Sequence, residues 1–334
     1  MKIATLDAPL SRDDWQPVHR RPQADLIADA VVLRGDRRAD IEPLRLKPMG
    51  PGDILVDTRW SGISTGTERM FWSGDMPPFP GFSYPLVPGY ESVGRVISAP
   101  HRPDLEGRYV FVPGATCFED AAGLFGATAS RLVVPADRVT DLGTHATPEM
   151  ALLALAATAH HAIVRGGLPD LIIGHGVLGR LAARITRALD RPAPTVWEID
   201  AARRGAEPYP VINPETDERR NYTRIMDLSG DAAIIDKALG HCARGAAITL
   251  AGFYKDRPSF AFPMAFMKEV SLHVAAEWTS EDMDAVLSLV RQGRLALSGL
   301  ITHSAAPSEA EAAYATAFGN ARCLKLIIDW ADQA

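Results

Sequence analysis

From about residue 25 to residue 147 the apolar residues come in short runs. Ala30-Val31-Val32-Leu33, Ile54-Leu55-Val56-Asp57-Thr58-Arg59-Trp60, Glu91-Ser92-Val93-Gly94-Arg95-Val96-Ile97, Tyr109-Val110-Phe111-Val112-Pro113 and Arg131-Leu132-Val133-Val134-Pro135 have β-type compositions. Gly/Pro turns such as Pro51-Gly52-Asp53 separate them. That spacing predicts a β-barrel-like first domain. The pattern changes at Thr147-Pro148-Glu149, a helix start with Thr at the cap and Pro in the first turn. An Ala/Leu-rich helix runs from there to about Val164. Strands then alternate with helices: Leu171-Ile172-Ile173, a helix from about Leu178 to Leu189, Thr195-Val196-Trp197, Arg224-Ile225-Met226-Asp227, Ala246-Ala247-Ile248-Thr249-Leu250 and Ser271-Leu272-His273-Val274-Ala275. This predicts an α/β doubly wound parallel sheet. A helix over Ser308 to Phe318 and a strand over Leu324 to Ile328 close the chain. The expected division is an N-terminal extension (1–24), a strand-rich domain (25–147 with 297–334) and a cofactor domain (148–296).

Composition narrows the function. A chain of 334 residues, 47% hydrophobic and 23% charged, suits two soluble domains, each able to bury a core. The net charge is −6, and the basic pairs (Arg20-Arg21, Arg37-Arg38, Arg203-Arg204, Arg219-Arg220) are scattered, so no nucleic-acid partner is expected. No run is long enough for a transmembrane segment, and the N-terminus lacks a signal-peptide core, so a cytoplasmic location is expected. Cys117, Cys242 and Cys323 lie far apart, with neither disulfide-framework nor local zinc-lobe spacing.

The sharpest motif is Gly174-His175-Gly176-Val177-Leu178-Gly179, directly after an apolar strand and directly before a helix. In that context the first Gly serves the turn, the second lets a pyrophosphate approach, and the third lets helix and strand pack closely. Phosphate then sits at a positive helix N-terminus. Glu198 ends the next strand, where an acid would bind ribose hydroxyls; Asp200 is the nearby alternative. An acid there favours NAD over NADP, although Arg203 and Arg204 soften the preference. Ser229-Gly230 and Gly252-Phe253 end further strands and join the candidate cofactor site, with Thr158 on the preceding helix. The His175 ring is expected either to face solvent or to bond phosphate.

Taken together, the chain resembles the medium-chain dehydrogenase/reductase superfamily over nearly everything after residue 24, which implies a GroES-like β-barrel catalytic domain beside a Rossmann domain. Ser61-Gly62-Ile63-Ser64-Thr65-Gly66-Thr67-Glu68 and Pro88-Gly89-Tyr90-Glu91 are similar to its active-site segments. This sequence departs from the zinc alcohol dehydrogenases: Ser64 and Tyr90 stand where Cys and His ligands would be, Ala154 to Thr158 has no Cys, and Cys117 is alone near the four-Cys lobe. No metal is therefore expected. Tyr84-Pro85-Leu86-Val87-Pro88, Phe111-Val112-Pro113-Gly114-Ala115, Gly123-Leu124-Phe125-Gly126, Phe266-Met267-Lys268-Glu269 and Gly299-Leu300-Ile301-Thr302-His303 resemble the bacteriochlorophyllide a dehydrogenase family in particular. That resemblance implies NAD-dependent oxidation of a 1-hydroxyethyl group on a tetrapyrrole to acetyl, in bacteriochlorophyll synthesis. It also implies a protein that a hydrophobic substrate could bring to the photosynthetic membrane, and a homodimer formed through the cofactor domain.

Without zinc, hydroxyl relays must move the alcohol proton. Thr67 and Tyr90 are the expected partners of the substrate oxygen, with Glu91 orienting them and Ser64 and Thr65 as further candidates. The aromatic run from Phe71 to Phe82, which includes Phe79, and the set Phe260, Phe262, Met264, Phe266 and Met267 could wall a macrocycle pocket; ordinary packing is the competing reading. His160 or His161 could reach a tetrapyrrole magnesium, against the commoner core or surface role. Two rivals stand beside this function: a zinc-free NAD(P)H quinone or enone reductase, and a tetrapyrrole-binding or NAD-sensing protein that is not an enzyme.

Overall fold

A computed structural model describes residues 26–331 apart from Phe79 and Ala206; the expected N-terminal extension lies outside the described residues. The chain divides into two compact units, one running to Leu152 and resuming at Ser298, the other spanning Leu153–Leu297.

In the first unit a two-stranded hairpin, β1 (Ile27–Leu33) with β2 (Ala39–Arg45), accompanies a larger sheet. That sheet contains β3 (Asp53–Ile63), β4 (Ser92–Ser98), β5 (Tyr109–Val112), β6 (Arg131–Pro135) and β7 (Thr140–Gly143). A seven-residue helix, α1 (Thr67–Ser73), follows β3. The eleven-residue β3 is the organising strand, flanked by β4 and β6. Buried Val, Ile, Leu and Ala side chains from these strands form the core between them.

The second unit opens on α2 (Leu153–Gly166) and continues with β8 (Leu171–Ile173), α3 (Val177–Ala188), β9 (Thr195–Trp197), β10 (Val211–Ile212) and β11 (Tyr222–Asp227). It ends with α4 (Ile234–His241), β12 (Cys242–Leu250), α5 (Phe262–Lys268), β13 (Ser271–Val274) and α6 (Ser280–Arg291). Pro148–Leu152 forms a tight 3-10 turn and the α-helix begins only at Leu153, so the helix start expected at Thr147 is a turn that leads into it. All six strands are parallel, in the order β10-β9-β8-β11-β12-β13. Numbered by appearance this is 3-2-1-4-5-6, the doubly wound dinucleotide-binding order, whose direction reverses between β8 and β11. The fold is α/β, as expected. The two-residue β10 carries too little pattern to be read from sequence.

The chain returns to the first unit as β14 (His303–Ala305), α7 (Ala310–Gly319) and β15 (Leu326–Asp329). β15 pairs antiparallel with β3, placing Leu326 opposite Ile63. On α7 the stripe Ala310, Ala313, Tyr314 and Ala317 is buried at helical spacing, which seats the helix on the sheet.

Candidate active site

The end of β3 builds the site in the first unit. Across β3, Ser61 pairs with Ser92 on one side and Ile63 with Leu326 on the other. Glu91 and Lys325 are the residues just before these partners, so they converge over Gly62, whose N–H donates to the Glu91 carbonyl (2.9 Å). The Lys325 ammonium contacts the Glu91 carboxylate, and both side chains are essentially fully buried. A Cβ on Gly62 would lie 2.4 Å from Glu91 Oε2 and 3.0 Å from Lys325 Cε, so glycine is what leaves room for the pair.

The chain turns directly after β3. Ser64 is buried, Thr65 is exposed and Thr67 is half-buried as the first residue of α1. The Ser64 hydroxyl makes a short hydrogen bond with the Tyr90 hydroxyl. The Ser64 N–H donates to Glu68 Oε1 (3.2 Å), and the Tyr314 hydroxyl donates to Glu68 Oε2 (2.9 Å). Glu68 is fully buried; burial first, and repulsion from Glu91 second, push its carboxyl up to about 8. Burial also raises Tyr90, and the Glu91 charge raises it further while the Ser64 hydroxyl opposes both, so Tyr90 is a neutral hydroxyl at ordinary pH. Burial raises the Glu91 carboxyl too, and Lys325 pulls it back.

Of the expected hydroxyl group, Ser64 and Tyr90 are in direct contact and Thr67 lies beside Tyr90. Thr65 points to solvent at the turn. Glu91 does not orient the hydroxyls by hydrogen bonding: its carboxylate is committed to Lys325. Glu68, Tyr314 and Lys325 were missed. Their contacts join segments more than 200 residues apart, and a fully buried Lys in an apolar run is the one local signal that could have marked them.

In the loop expected as a pocket wall, the apolar side chains at its start pack inward, while Gly74, Asp75, Pro77, Pro78, Pro80 and Gly81 are exposed. Phe71 and Met76 are buried, and the Phe71 ring packs on Phe82 (5.3 Å) and Phe125 (6.3 Å), because α1 turns Met70 and Phe71 inward. Phe79 lies outside the described residues. By contrast Phe260, Phe262, Met264, Phe266 and Met267 are exposed beside a cavity of about 420 Å³ on α5 and β13.

In the second unit the glycine motif connects β8 to α3, with Gly176 capping the helix. Gly174 has φ +96°, a left-handed turn that a side chain would strain. A Cβ on Gly179 would stand 1.9 Å from the Gly174 carbonyl oxygen, whereas one on Gly176 would meet no protein atom within 4 Å. Val177 and Leu178 form the first turn of α3. The turn therefore leaves open space at Gly176, above the helix N-terminus, and that opening fits a dinucleotide pyrophosphate.

Glu198 is buried at the end of β9, where Oε2 accepts from the His175 N–H (3.2 Å) and Oε1 from the Asp200 N–H (2.8 Å). The His175 ring neither faces solvent nor aims at phosphate. The ring is buried, with its Nδ1 bonded to the Arg203 carbonyl (2.7 Å) and its Nε2 to the Tyr209 hydroxyl (3.1 Å). Burial accordingly lowers its pKa. The Arg203 carbonyl also accepts from Arg180 (3.1 Å), tying the β9 loop to α3.

At the end of β11, buried Asp227 accepts from the Ser229 N–H (2.9 Å), the Ser229 hydroxyl (2.7 Å) and the Tyr254 hydroxyl. Gly230 and Gly252 approach each other so closely that a Cβ on Gly252 would sit 2.8 Å from Gly230 N. Phe253 is exposed. Thr158 spends its hydroxyl on the Ala154 carbonyl one turn back (2.9 Å). His160 and His161 both turn to Asp282, at 2.7 Å each, rather than presenting a free ligand.

A catalytic zinc does not fit the first unit. Ser64 and Tyr90 offer neutral hydroxyls bonded to each other, and Cys117 is buried alone. Among the described residues no three His, Cys, Asp or Glu side chains converge as a metal site.

Comparison with known proteins gives the following. No family model matches the chain. It is 52% identical to the 2-desacetyl-2-hydroxyethyl bacteriochlorophyllide A dehydrogenase of Cereibacter sphaeroides over 90% of the chain and 98% of the relative. It is 50% identical to the protein of the same name from Rhodobacter capsulatus, with the same coverages. Among solved structures, L-idonate 5-dehydrogenase of Escherichia coli aligns with a TM-score of 0.81 at 18% identity over 92% of this chain and 99% of that one. Acetophenone reductase of Geotrichum candidum, solved with NAD, aligns with a TM-score of 0.77 at 17% identity over 95% and 100%.

Proposed function

The chain belongs to the 2-desacetyl-2-hydroxyethyl bacteriochlorophyllide A dehydrogenase family, and from this premise we propose that it oxidises the 1-hydroxyethyl substituent of a bacteriochlorophyllide to acetyl with NAD. The observation that carries this reading is the likeness to two such enzymes at about half identity along almost their whole length.

The reaction removes a hydride from the carbinol carbon and a proton from its hydroxyl, leaving a ketone. NAD, when bound, supplies the hydride acceptor. Gly174, Gly176, Val177, Leu178 and Gly179 would hold its pyrophosphate, Glu198 would meet its ribose, and Ser229, Gly230, Gly252 and Phe253 lie on the other loops at the carboxyl ends of the strands. The paired hydroxyls of Ser64 and Tyr90, with Thr67, receive the alcohol oxygen and relay its proton to bulk water as the hydride leaves. Tyr90 works as a neutral donor and acceptor, because its burial first, and the Glu91 carboxylate beside it second, make a tyrosinate costly. In the substrate, positive charge that develops on the carbinol carbon is delocalised into the conjugated ring, so less Lewis-acid help is needed.

The free edge of the cofactor sheet is the second part of the proposal. β13 ends the sheet and pairs only with β12 among the described residues, while Leu272, Val274, Phe262, Phe266 and Met267 are exposed beside it. We assign this face to a second copy of the chain, because an apolar open edge pairs most simply with itself around a two-fold axis.

The functional test is an absorbance assay with purified protein, a 3-(1-hydroxyethyl) bacteriochlorophyllide, and NAD or NADP, with and without a chelator. A red shift of the long-wavelength pigment band with NAD, unaffected by chelator, is expected. An unchanged pigment spectrum beside NADPH-dependent quinone reduction would overturn the assignment.

A further inference from the structure

Glu91 and Lys325 form a fully buried ion pair that is poorly compensated. Apart from their mutual contact, neither the ammonium nor the carboxylate oxygens have a hydrogen-bond partner among the described residues. Desolvating two charges without such bonds costs more than their attraction returns, and such pairs are often replaceable by apolar residues without loss of stability. The sheet nevertheless makes room for this one at Gly62, where any side chain would strike it. A second buried carboxylate, Glu68, stands close enough to feel both charges, and Tyr90, next to Glu91 in the chain, reaches over to the Ser64 hydroxyl. Residues 68, 91 and 325 thus deliver two acids and one base beneath the two hydroxyls, in a low-dielectric interior where each charge acts strongly on its neighbours.

We infer that Lys325 is a positioning residue for the reaction: its ammonium fixes the Glu91 carboxylate under Tyr90 and sets the charge beneath the Ser64–Tyr90 hydroxyl pair. This rests on the function proposed above. The groups facing Glu68 are Glu91 before β4, Lys325 before β15, Tyr314 on α7 and Ser64 at the end of β3, with Tyr90 alongside. Lys325 attracts both carboxylates and Glu91 repels Glu68, so without the ammonium the two cannot both be ionised as readily, and one of them stays protonated to higher pH. Burial holds the Glu68 carboxyl up at about 8, and the Lys325 ammonium is what draws it back toward neutrality.

Two measurements test this. The first needs no substrate. The infrared band of a protonated buried carboxyl is followed against pH in the full chain. A band that disappears around pH 8, is missing in Glu68→Gln and shifts to higher pH in Lys325→Met is expected. An unshifted titration in Lys325→Met would overturn the inference. The second compares the double variant Glu91→Gln/Lys325→Met with wild type. Thermal stability is expected to be equal or higher, with KM for the pigment little changed. The expected fall in kcat is on the order of ten- to a hundredfold, the scale at which outer partners of a reacting centre act. Partial recovery of kcat is expected in Lys325→Arg. A double variant that is stable and fully active would also overturn the inference. If wild type itself leaves the pigment unchanged, the proposed function fails, and the infrared titration still decides whether Lys325 sets the charge.

Discussion

At the residue scale, the three glycines of the β8–α3 turn do different work, and the difference can be measured. Gly179 faces the Gly174 carbonyl at a distance no methyl can occupy, so Gly179→Ala must push backbone against backbone. A loss of about 1–3 kcal/mol in stability is expected, as for overpacking elsewhere. Gly176 has ordinary φ and open space before it, so Gly176→Ala disturbs no protein contact. It should unfold within about 0.5 kcal/mol of wild type, the range of neutral substitutions. NAD binding should nonetheless weaken, because the methyl takes the space the pyrophosphate needs. Denaturant titrations beside an NAD fluorescence titration separate the two. Equal stability losses would show that Gly176 is a packing glycine. The motif was legible because its meaning is local: strand, turn and helix are contiguous, and sequence spacing carries the geometry. The His175 ring was not, since its direction depends on Tyr209 and Arg203, which arrive on a later loop.

At the scale of elements, α6 starts on a reciprocal cap: Thr279 accepts from the Asp282 N–H, and the Asp282 carboxylate accepts from the Thr279 N–H (2.9 Å). The same carboxylate holds His160 and His161 of α2, so one side chain joins two helices. Burial pushes Asp282 up, but the Thr279 N–H and the two imidazoles outweigh it and bring its pKa down to about 2. Its unfolded value is about 4. The lowered folded pKa means that this stabilisation is complete above about pH 4 and is lost as pH falls toward 2. Asp282→Ala removes a cap and strands two histidines, and should cost on the order of 2 kcal/mol at neutral pH. Its unfolding free energy should also fall less steeply than wild type between about pH 4 and 2. Parallel acid slopes for the two proteins would mean that the carboxylate is not the linking charge. Sequence showed the elements better than their joints. The Ala/Leu periodicity marked α2, but nothing in it indicated that His160 and His161 turn to a residue 122 and 121 positions on. Likewise α7 could be read from its spacing, while the reach of Tyr314 to Glu68 could not.

At the scale of the molecule, each unit places its candidate site residues at the ends of sheet strands. In the first, the register of β3 with β4 and β15 brings distant polar residues to one strand end. In the second, the candidate cofactor residues follow the carboxyl ends of strands on either side of the strand-order reversal. Alternating strands and helices made the doubly wound sheet predictable, whereas the charge cluster appears only once three non-adjacent segments are in register.

Among the described residues, most of the exposed large apolar side chains gather along the outer edge of the second sheet. Val274, Phe262, Phe266 and Met267 are each more than 60% exposed, which is costly in water for a cluster of this size. Pairing of β13 with its copy would continue the sheet across a two-fold axis and bury the α5 aromatics at the same time. Light scattering on the purified chain should therefore give twice the chain mass. Phe266→Asp combined with Val274→Lys should give a single chain that keeps its NAD affinity, since neither residue lies on the glycine turn. A monomeric wild type that floats with lipid vesicles would instead assign the face to a membrane surface. A dimer that survives both substitutions would place the interface elsewhere.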